Sequence, residues 1–448
     1  MDDFSKLFNL ISDKRLRESK SERAQDSDIV IASESDKSRV INASAFRRLQ
    51  QKAQVFSLET NASVRTRLTH SIEVSQIGRY LAQEIIRLMS KDSDISYEKK
   101  LAFSNIIETA CLLHDIGNPP FGHLGEAAIR RWFKKKQKQL KKGSNIYEEL
   151  IKFDGNAQGF RLITYLSGAD EYGLNLTAST ILAFVKYPFI NKDKGLFKAD
   201  YQFSYKVACK KLEWKEGVKF PLAIIMDLAD EISYCMSDLE DGLEKRVISP
   251  YDLYMEFKDI GYLEPKEEDM YPYPFITFKT KLINKCVQEI AQKFVDNIGN
   301  IVEGEMIEIP IDDNDVREKY LGRIKKFARK RIYSDRKIEL VELAGAKIIE
   351  GLLEEYEPLL DMEENNFSQL INGEKGKEYP FEFRLINTIP KNYIKKYQKS
   401  MDYYRAKRTD TPSEKSVRAQ LLVDFISGMT DDFALEQYQF LKGIKLHD

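Results

Sequence analysis

Residues 108–129 read ETACLLHDIGNPPFGHLGEAAI. The first six continue an apolar helix that begins near Leu101, with Ile106, Ile107 and Ala110 on its inner face. Asn118-Pro119-Pro120-Phe121-Gly122 ends it, because a proline pair removes amide donors and clashes with the preceding turn. A new helix starts near His123. Neighbouring residues on a helix point about 100° apart. His114 and Asp115 therefore reach a common ion only at a helix end or bend, and Gly117–Pro120 supplies one.

Outward from this segment, SVRTRLTHSIEV (63–74) leads into a helix in which Val74, Ile77, Leu81, Ile85 and Leu88 recur every three or four residues. His70 stands at its start. A further helix is expected over Ser38–Val55. The segment PLAIIMDLADEISYCMSDLEDGL (221–243) opens on Pro221, a favoured first helical residue. Leu222, Ile225, Ala229, Ile232, Met236, Leu239 and Leu243 form one stripe. Asp227, Asp230, Tyr234, Asp238 and Asp241 form another, and Ile224, Leu228 and Cys235 fall between them. Two readings fit: a surface helix with an acidic face, or a buried helix whose acids meet a cation. In the second, Asp230 joins His70, His114 and Asp115. Two imidazoles and two carboxylates suit a hard or borderline divalent ion.

The chain has 448 residues, 70 Lys+Arg against 71 Asp+Glu, four His and four Cys. This is a globular composition. A net charge of −1 excludes a globally basic nucleic-acid coat protein, so an anionic ligand must be met by local Arg and Lys. Cys111, Cys209, Cys235 and Cys286 lie far apart. They offer no zinc spacing and fit a reducing cytoplasm. No apolar run is long enough to span a membrane, and no export signal is expected.

Scarce Gly and Pro and the helical periodicity predict a mainly α fold with a few short strands. Residues 1–35 are expected as a loosely held polar arm. Asn191–Lys206 reads as a loop or hairpin, and residues 250–275 as a connector. Glu305–Ile311 (EMIEIPI) is the best strand candidate. The run KKKQKQLKK (134–142) reads as a solvated face, with single-stranded DNA as the alternative partner.

The order H…HD…D resembles the HD-domain metal-dependent phosphohydrolases. SRVINASAFRRLQQKAQVF (38–56), FDGNAQGFRL (153–162), LNLTASTILAFVKYP (174–188) and LLVDFISGMTDDFAL (421–435) narrow the resemblance to the deoxyguanosinetriphosphate triphosphohydrolase (dGTPase) group. The likeness is dense over about 35–245 and thin beyond. It implies an HD core over 36–250, with a mostly helical 251–448 that carries oligomer contacts and part of the substrate pocket.

The resemblance implies hydrolysis of deoxynucleoside triphosphates, dGTP first, to deoxynucleoside and tripolyphosphate, regulating the nucleotide pool. It implies one divalent ion, Mn²⁺ or Mg²⁺, on His70, His114, Asp115 and Asp230. His123 and Glu126 become the catalytic pair at the scissile phosphate. Arg67, Lys186, Tyr187 and Asn156 contact phosphate, Gln54 and Asp238 the 3′-hydroxyl, and Tyr234 lies beneath the sugar. Arg47, Arg48, Lys52 and Arg65 are further cationic candidates; Arg48 is alternatively a structural partner for the acids of 227–241. Arg418 is a candidate for base choice. A homo-oligomer (hexamer or tetramer), with single-stranded DNA or a nucleotide as effector, is expected in the cytoplasm. Alternatives are another HD phosphohydrolase, such as a 5′-nucleotidase or phosphodiesterase, or a nucleotide- or DNA-sensing protein.

Overall fold

A computed structural model describes residues 2–18, 28–89, 95–140, 144–168, 170–190, 194–260, 273–311, 315–406 and 412–445. Among them the fold is helical throughout. Strand pairing is limited to the isolated bridges Arg15–Thr177, Ala53–Thr66 and Ile190–Leu196. The helices used below are α1 (Asp3–Asn9), α2 (Ile29–Asn42), α3 (Arg67–Met89), α4 (Tyr97–Leu113), α5 (Gly122–Gln139), α6 (Gly155–Arg161), α7 (Ala178–Phe184), α8 (Pro221–Glu244) and α9 (Tyr273–Asp296). They continue with α10 (Arg323–Arg331), α11 (Arg336–Asp361), α12 (Lys391–Ala406), α13 (Glu414–Ser427) and α14 (Asp431–Leu441).

The centre is α3, packed against α4, α8 and α9, with α2 on the far side of α4. Its periodic residues Val74, Ile77, Leu81 and Ile85 are all buried. Each contributes about 1.5–3 kcal/mol by leaving water. Gly78 lets the helices close: a β-carbon there would stand 2.4 Å from Cys111 Sγ and 3.6 Å from Ala229 Cβ.

Several expectations need correction. The N-terminal arm is docked. Asp2 caps α1 through the Ser5 amide, Leu7 and Phe8 are buried, and Phe8 meets Phe103 at 5.2 Å. Arg15 pairs with buried Asp36. Residues 19–27 lie outside the described residues. The helix expected over Ser38–Val55 is α2, then short turns at Ser44–Arg47 and Arg48–Gln51, because Ala43 is extended.

Glu305–Ile311 is not a strand. The amides of Glu305 and Met306 turn back to the Asn300 carbonyl, and Ile307 and Ile311 are exposed. Among the described residues this segment has no sheet to join. Of the expected loop at 191–206, residues 198 onward are helical, because Tyr201, Tyr205 and Ala208 bury one continuous face. The connector begins as a helix, Pro250–Phe257, fixed by a Ser249/Asp252 capping box. Residues 261–272 of it lie outside the described residues. No helix among them is long and apolar enough to cross a membrane.

In the lysine run, Lys136 pairs with Glu357 and Asp361 on α11, while Lys134, Lys135 and Lys138 are exposed. Lys141 and Lys142 lie outside the described residues. The same helix, α11, covers α5 and α14. Gly345 on α11 lies over the loop before His123. A β-carbon there would stand 2.3 Å from Phe121 Cγ and 2.6 Å from its Cβ. At an ordinary helical glycine, alanine stabilises by about 0.5–1 kcal/mol. Here the sign should reverse. Gly345→Ala is expected to lower the melting temperature, at a cost of about 1–3 kcal/mol from overpacking. A raised melting temperature would refute the close approach.

Candidate active site

The turn after α4 aims two adjacent side chains into one space. His114 closes α4, and its Nδ1 lies 2.8 Å from the Cys111 carbonyl. Donation from Nδ1 leaves the Nε2 lone pair pointing inward. That Nε2 is buried and has no hydrogen-bond partner among the described residues. It stands 3.6 Å from Asp115 Oδ2 and 3.4 Å from Asp230 Oδ1. His70 Nε2, from α3, also stands 3.4 Å from Asp230 Oδ1, and the two rings meet edge to face at 5.3 Å. Ligand atoms of His70, His114 and Asp115 all fall within 4.8 Å of one another, and Asp230 on α8 reaches both imidazoles.

Two buried imidazoles, an inward lone pair and two carboxylates fit a divalent cation. Burial lowers His114, which keeps it a neutral donor. Burial pushes the Asp115 carboxyl up, but Arg67 and the imidazoles outweigh it and hold it below the usual range. Asp230 is likewise pushed up by burial and held well below the usual range by Lys186, His114 and His70. For His70, burial is outweighed by Asp230, and the net direction is upward.

Arg67 Nη1 donates to Asp115 Oδ2 at 2.6 Å, and Asn118 Nδ2 donates to Oδ1 at 2.6 Å. Lys186 Nζ lies 2.7 Å from Asp230 and 3.1 Å from Asp227. Thus both expected phosphate-binding cations touch the candidate metal ligands. Tyr187 is half-buried, with its hydroxyl accepting from Lys194 at 3.2 Å.

His123 begins α5 with its side chain 92% exposed, 3.6 Å from Glu126. The left-handed Phe121 and Gly122 (φ 60° and 56°) place it there. Arg67 lies directly beneath: its Nη2 would be 2.9 Å from a β-carbon at Gly122. Glu126 is buried and accepts from the Gly155 amide at 2.7 Å and from Arg130 at 2.8 Å. Burial pushes it up, and His123, Gly155 and Arg130 bring it below the ordinary range. Glu126 in turn raises His123. Asn156 follows Gly155 and donates to Asp154.

One turn beyond Asp230 stands Tyr234, with Lys325 over its ring at 5.6 Å. Asp238 follows, 2% exposed, accepting from Tyr333 on one oxygen; the other oxygen has no partner among the described residues. Burial pushes its carboxyl up to about 7. Gln54 also holds a buried amide oxygen without a partner among the described residues. The acidic stripe therefore faces inward, which decides between the two readings of α8.

Of the two arginines, Arg65 and not Arg48 pairs with this stripe. Arg65 binds Glu73 at 2.7 Å, Asp241 at 2.6 Å, and Glu240. Arg48 instead reaches Ser44, and Arg47 donates to the Asn42 carbonyl. Arg418 is 1% exposed and spent on Glu414 and the carbonyls of Leu359 and Met362, so it is a packing residue here.

Sequence reading missed Asn118, Tyr333 and Asp431 as supports. Asn118 sat in the quoted turn, three residues after Asp115, a spacing that permits the bond. Tyr333 lies in a region with no motif. Asp431 accepts from the amides of Ala53 and Phe121, at 3.1 and 3.0 Å. Lys52 is buried beside it, donating to the carbonyls of Asn118 and Ser427. Burial, with Arg48 adding, pushes that ammonium down to about 7.

A helical frame carrying this His/His-Asp/Asp cluster defines a phosphohydrolase of the HD class. The HD domain family matches residues 67–235, and the phosphohydrolase-associated domain matches 369–440. Deoxyguanosinetriphosphate triphosphohydrolases of Yersinia pseudotuberculosis and Yersinia enterocolitica are 34% and 35% identical, over 91% of this chain and 93% of theirs. The Salmonella enteritidis enzyme of the same name is 33% identical over 92% and 94%. The chain belongs to the deoxyguanosinetriphosphate triphosphohydrolase family.

Asp431→Ala would orphan the buried Phe121 amide, at about 1–3 kcal/mol, and the half-buried Ala53 amide at less. It is expected to lower the melting temperature and to speed hydrogen exchange at the Phe121 amide. Unchanged exchange there would refute the bracing role.

Proposed function

We propose that this protein hydrolyses deoxynucleoside triphosphates, dGTP first, to deoxynucleoside and tripolyphosphate, and so regulates the nucleotide pool. The observation that carries this reading is the buried Nε2 of His114, without a hydrogen-bond partner among the described residues and facing Asp115 and Asp230, with the His123–Glu126 pair adjoining. The names of the relatives point to the same substrate.

In this reading His70, His114, Asp115 and Asp230 hold one Mn²⁺ or Mg²⁺. Such an ion polarises a phosphoryl oxygen and neutralises developing charge. The chain's own residues do the rest. Arg67, Lys186, Tyr187 and Asn156 hold the phosphates and stabilise the charge that spreads over them. Among the described residues, Gln54 and Asp238 each keep a buried oxygen without a partner, and these contact the 3′-hydroxyl. Tyr234 closes the space beneath C2′. His123, raised by Glu126, is the acid for the leaving 5′-oxygen. The enzyme works as a cytoplasmic homo-oligomer, a hexamer or tetramer, with single-stranded DNA or a nucleotide as effector.

Purified protein with each dNTP and rNTP, and Mn²⁺ or Mg²⁺, should release tripolyphosphate as the first product. Orthophosphate or pyrophosphate as the first product would sink this reading. His114→Ala should lose both bound metal, measured by elemental analysis, and activity. His123→Ala should keep the metal and lose about 10²–10⁴-fold in rate.

The pH dependence follows from Glu126. An acid must be protonated, so the rate falls as pH rises through the His123 pKa. Glu126→Gln removes the charge that raises it, so the alkaline limb of the kcat profile should move to lower pH. A limb that stays in place would remove His123 as its source.

A further inference from the structure

The acids of α8 are not met alike. Asp230 has Lys186, and Asp241 has Arg65. Asp238 lies between them, 2% exposed, with no Lys, Arg or His at ion-pair distance among the described residues. A carboxylate buried without a cation depends on strong donors. Its donor is a phenol: the Tyr333 hydroxyl donates to Oδ2. The other oxygen, Oδ1, is buried and has no partner among the described residues.

The place of Tyr333 is fixed by its neighbours. Arg317, just before α10, and Lys325, within it, both bind Glu231 on α8, the first at 2.8 Å. They hold α10 against the helix that carries the acids. At its end the amides of Ile332 and Tyr333 both return to the Ala328 carbonyl, at 2.8 and 3.0 Å. Ile332 is fully buried, and its Cδ1 would stand 2.8 Å from a β-carbon at Gly242. Gly242 is one helical turn beyond Asp238, on the same face. The glycine seats Ile332, and the next side chain reaches back one turn to the carboxylate. Tyr333 itself is half-buried.

We propose that Tyr333 is a positioning residue for the sugar: it holds Oδ2 of Asp238, so that Oδ1 is the oxygen left to accept the 3′-hydroxyl. The inference rests on the reading of Asp238 as a 3′-hydroxyl contact. A carboxylate free to turn about its Cβ–Cγ bond offers either oxygen in any direction. With Oδ2 taken by the phenol, the remaining acceptor has one direction, and a nucleotide without a 3′-hydroxyl leaves it unmet. Such a site selects for the hydroxyl, because the buried oxygen is satisfied only when the hydroxyl is there.

The test compares dGTP with ddGTP, which lacks only the 3′-hydroxyl, on the full-length protein with Mn²⁺ or Mg²⁺. The wild type should favour dGTP in kcat/KM. Tyr333→Phe keeps the ring and removes the donor. It should cut the dGTP/ddGTP ratio at least about tenfold, through dGTP, and change ddGTP by less than about twofold. In an Asp238→Ala background the same substitution should leave the ratio unmoved, since the carboxylate it orients is gone. Equal losses on both nucleotides would make Tyr333 a packing residue and overturn the proposal. An undiminished ratio in Tyr333→Phe, beside a wild type that prefers dGTP, would overturn this proposal alone. A wild type that turns over both nucleotides equally, or neither, would overturn the underlying reading and this inference with it.

Discussion

A carboxylate taken out of water loses hydration that only a nearby cation or a set of donors restores. Helix α8 turns Asp230, Asp238 and Asp241 inward, with Asp227 half-exposed beside them, and surrounding elements answer each. Lys219 and Lys186 meet Asp227. Lys186, His70 and His114 meet Asp230. Tyr333 meets Asp238, and Arg65 meets Asp241. These partners come from the turn before α8, the segment after α7, the ends of α3 and α4, and the turn after α10. The electrostatic demand of one helix thus sets where the others end.

That demand explains what could be read in advance. The apolar periodicity of α3, α4 and α8 is local, and it placed the helices on the correct residues to within a few positions. The His114-Asp115 step before a Gly-Asn-Pro-Pro turn required a bend, and the bend brings both side chains to Asp230. Local sequence does not say which cation answers which acid. Arg65 and Arg48 are equally basic and only 17 positions apart, yet only Arg65 lies on the approach to α3, where Glu73, Glu240 and Asp241 converge. Tyr333 and Asp431 were invisible for the same reason: their partners are 95 and more than 300 positions away. The strand expected at Glu305–Ile311 failed on the opposite ground, since alternation is only a strand when an edge exists to pair with.

Besides Lys325 over Tyr234 and Tyr333 on Asp238, the C-terminal region acts on the site by bracing backbone around it. Asp431 holds the amides of Ala53 and Phe121, and Lys52 ties the carbonyl of Asn118 to that of Ser427. Gly345 on α11 lies against Phe121. The contacts to Asn118 and Phe121 converge on the strained turn between Asp115 and His123. A left-handed Phe121 costs about 1–3 kcal/mol, and it persists because its amide and ring are both held from the other end of the chain.

Positive charge around the site divides by its partners. Arg65 is spent on Glu73, Glu240 and Asp241, Arg418 on Glu414, and Lys52 on carbonyls, so their removal would unbalance packing. Arg67 and Lys186 are different, because the carboxylates they touch, Asp115 and Asp230, are the ones that converge with His70 and His114. Any cation shared among those four groups weakens the hold of Asp115 on Arg67 and of Asp230 on Lys186. The chain's near-neutral total of 70 basic and 71 acidic residues is therefore compatible with a polyanion site. Most of the positive charge here is committed to structure, and the two side chains coupled to the cluster are the ones whose commitment changes with what it holds.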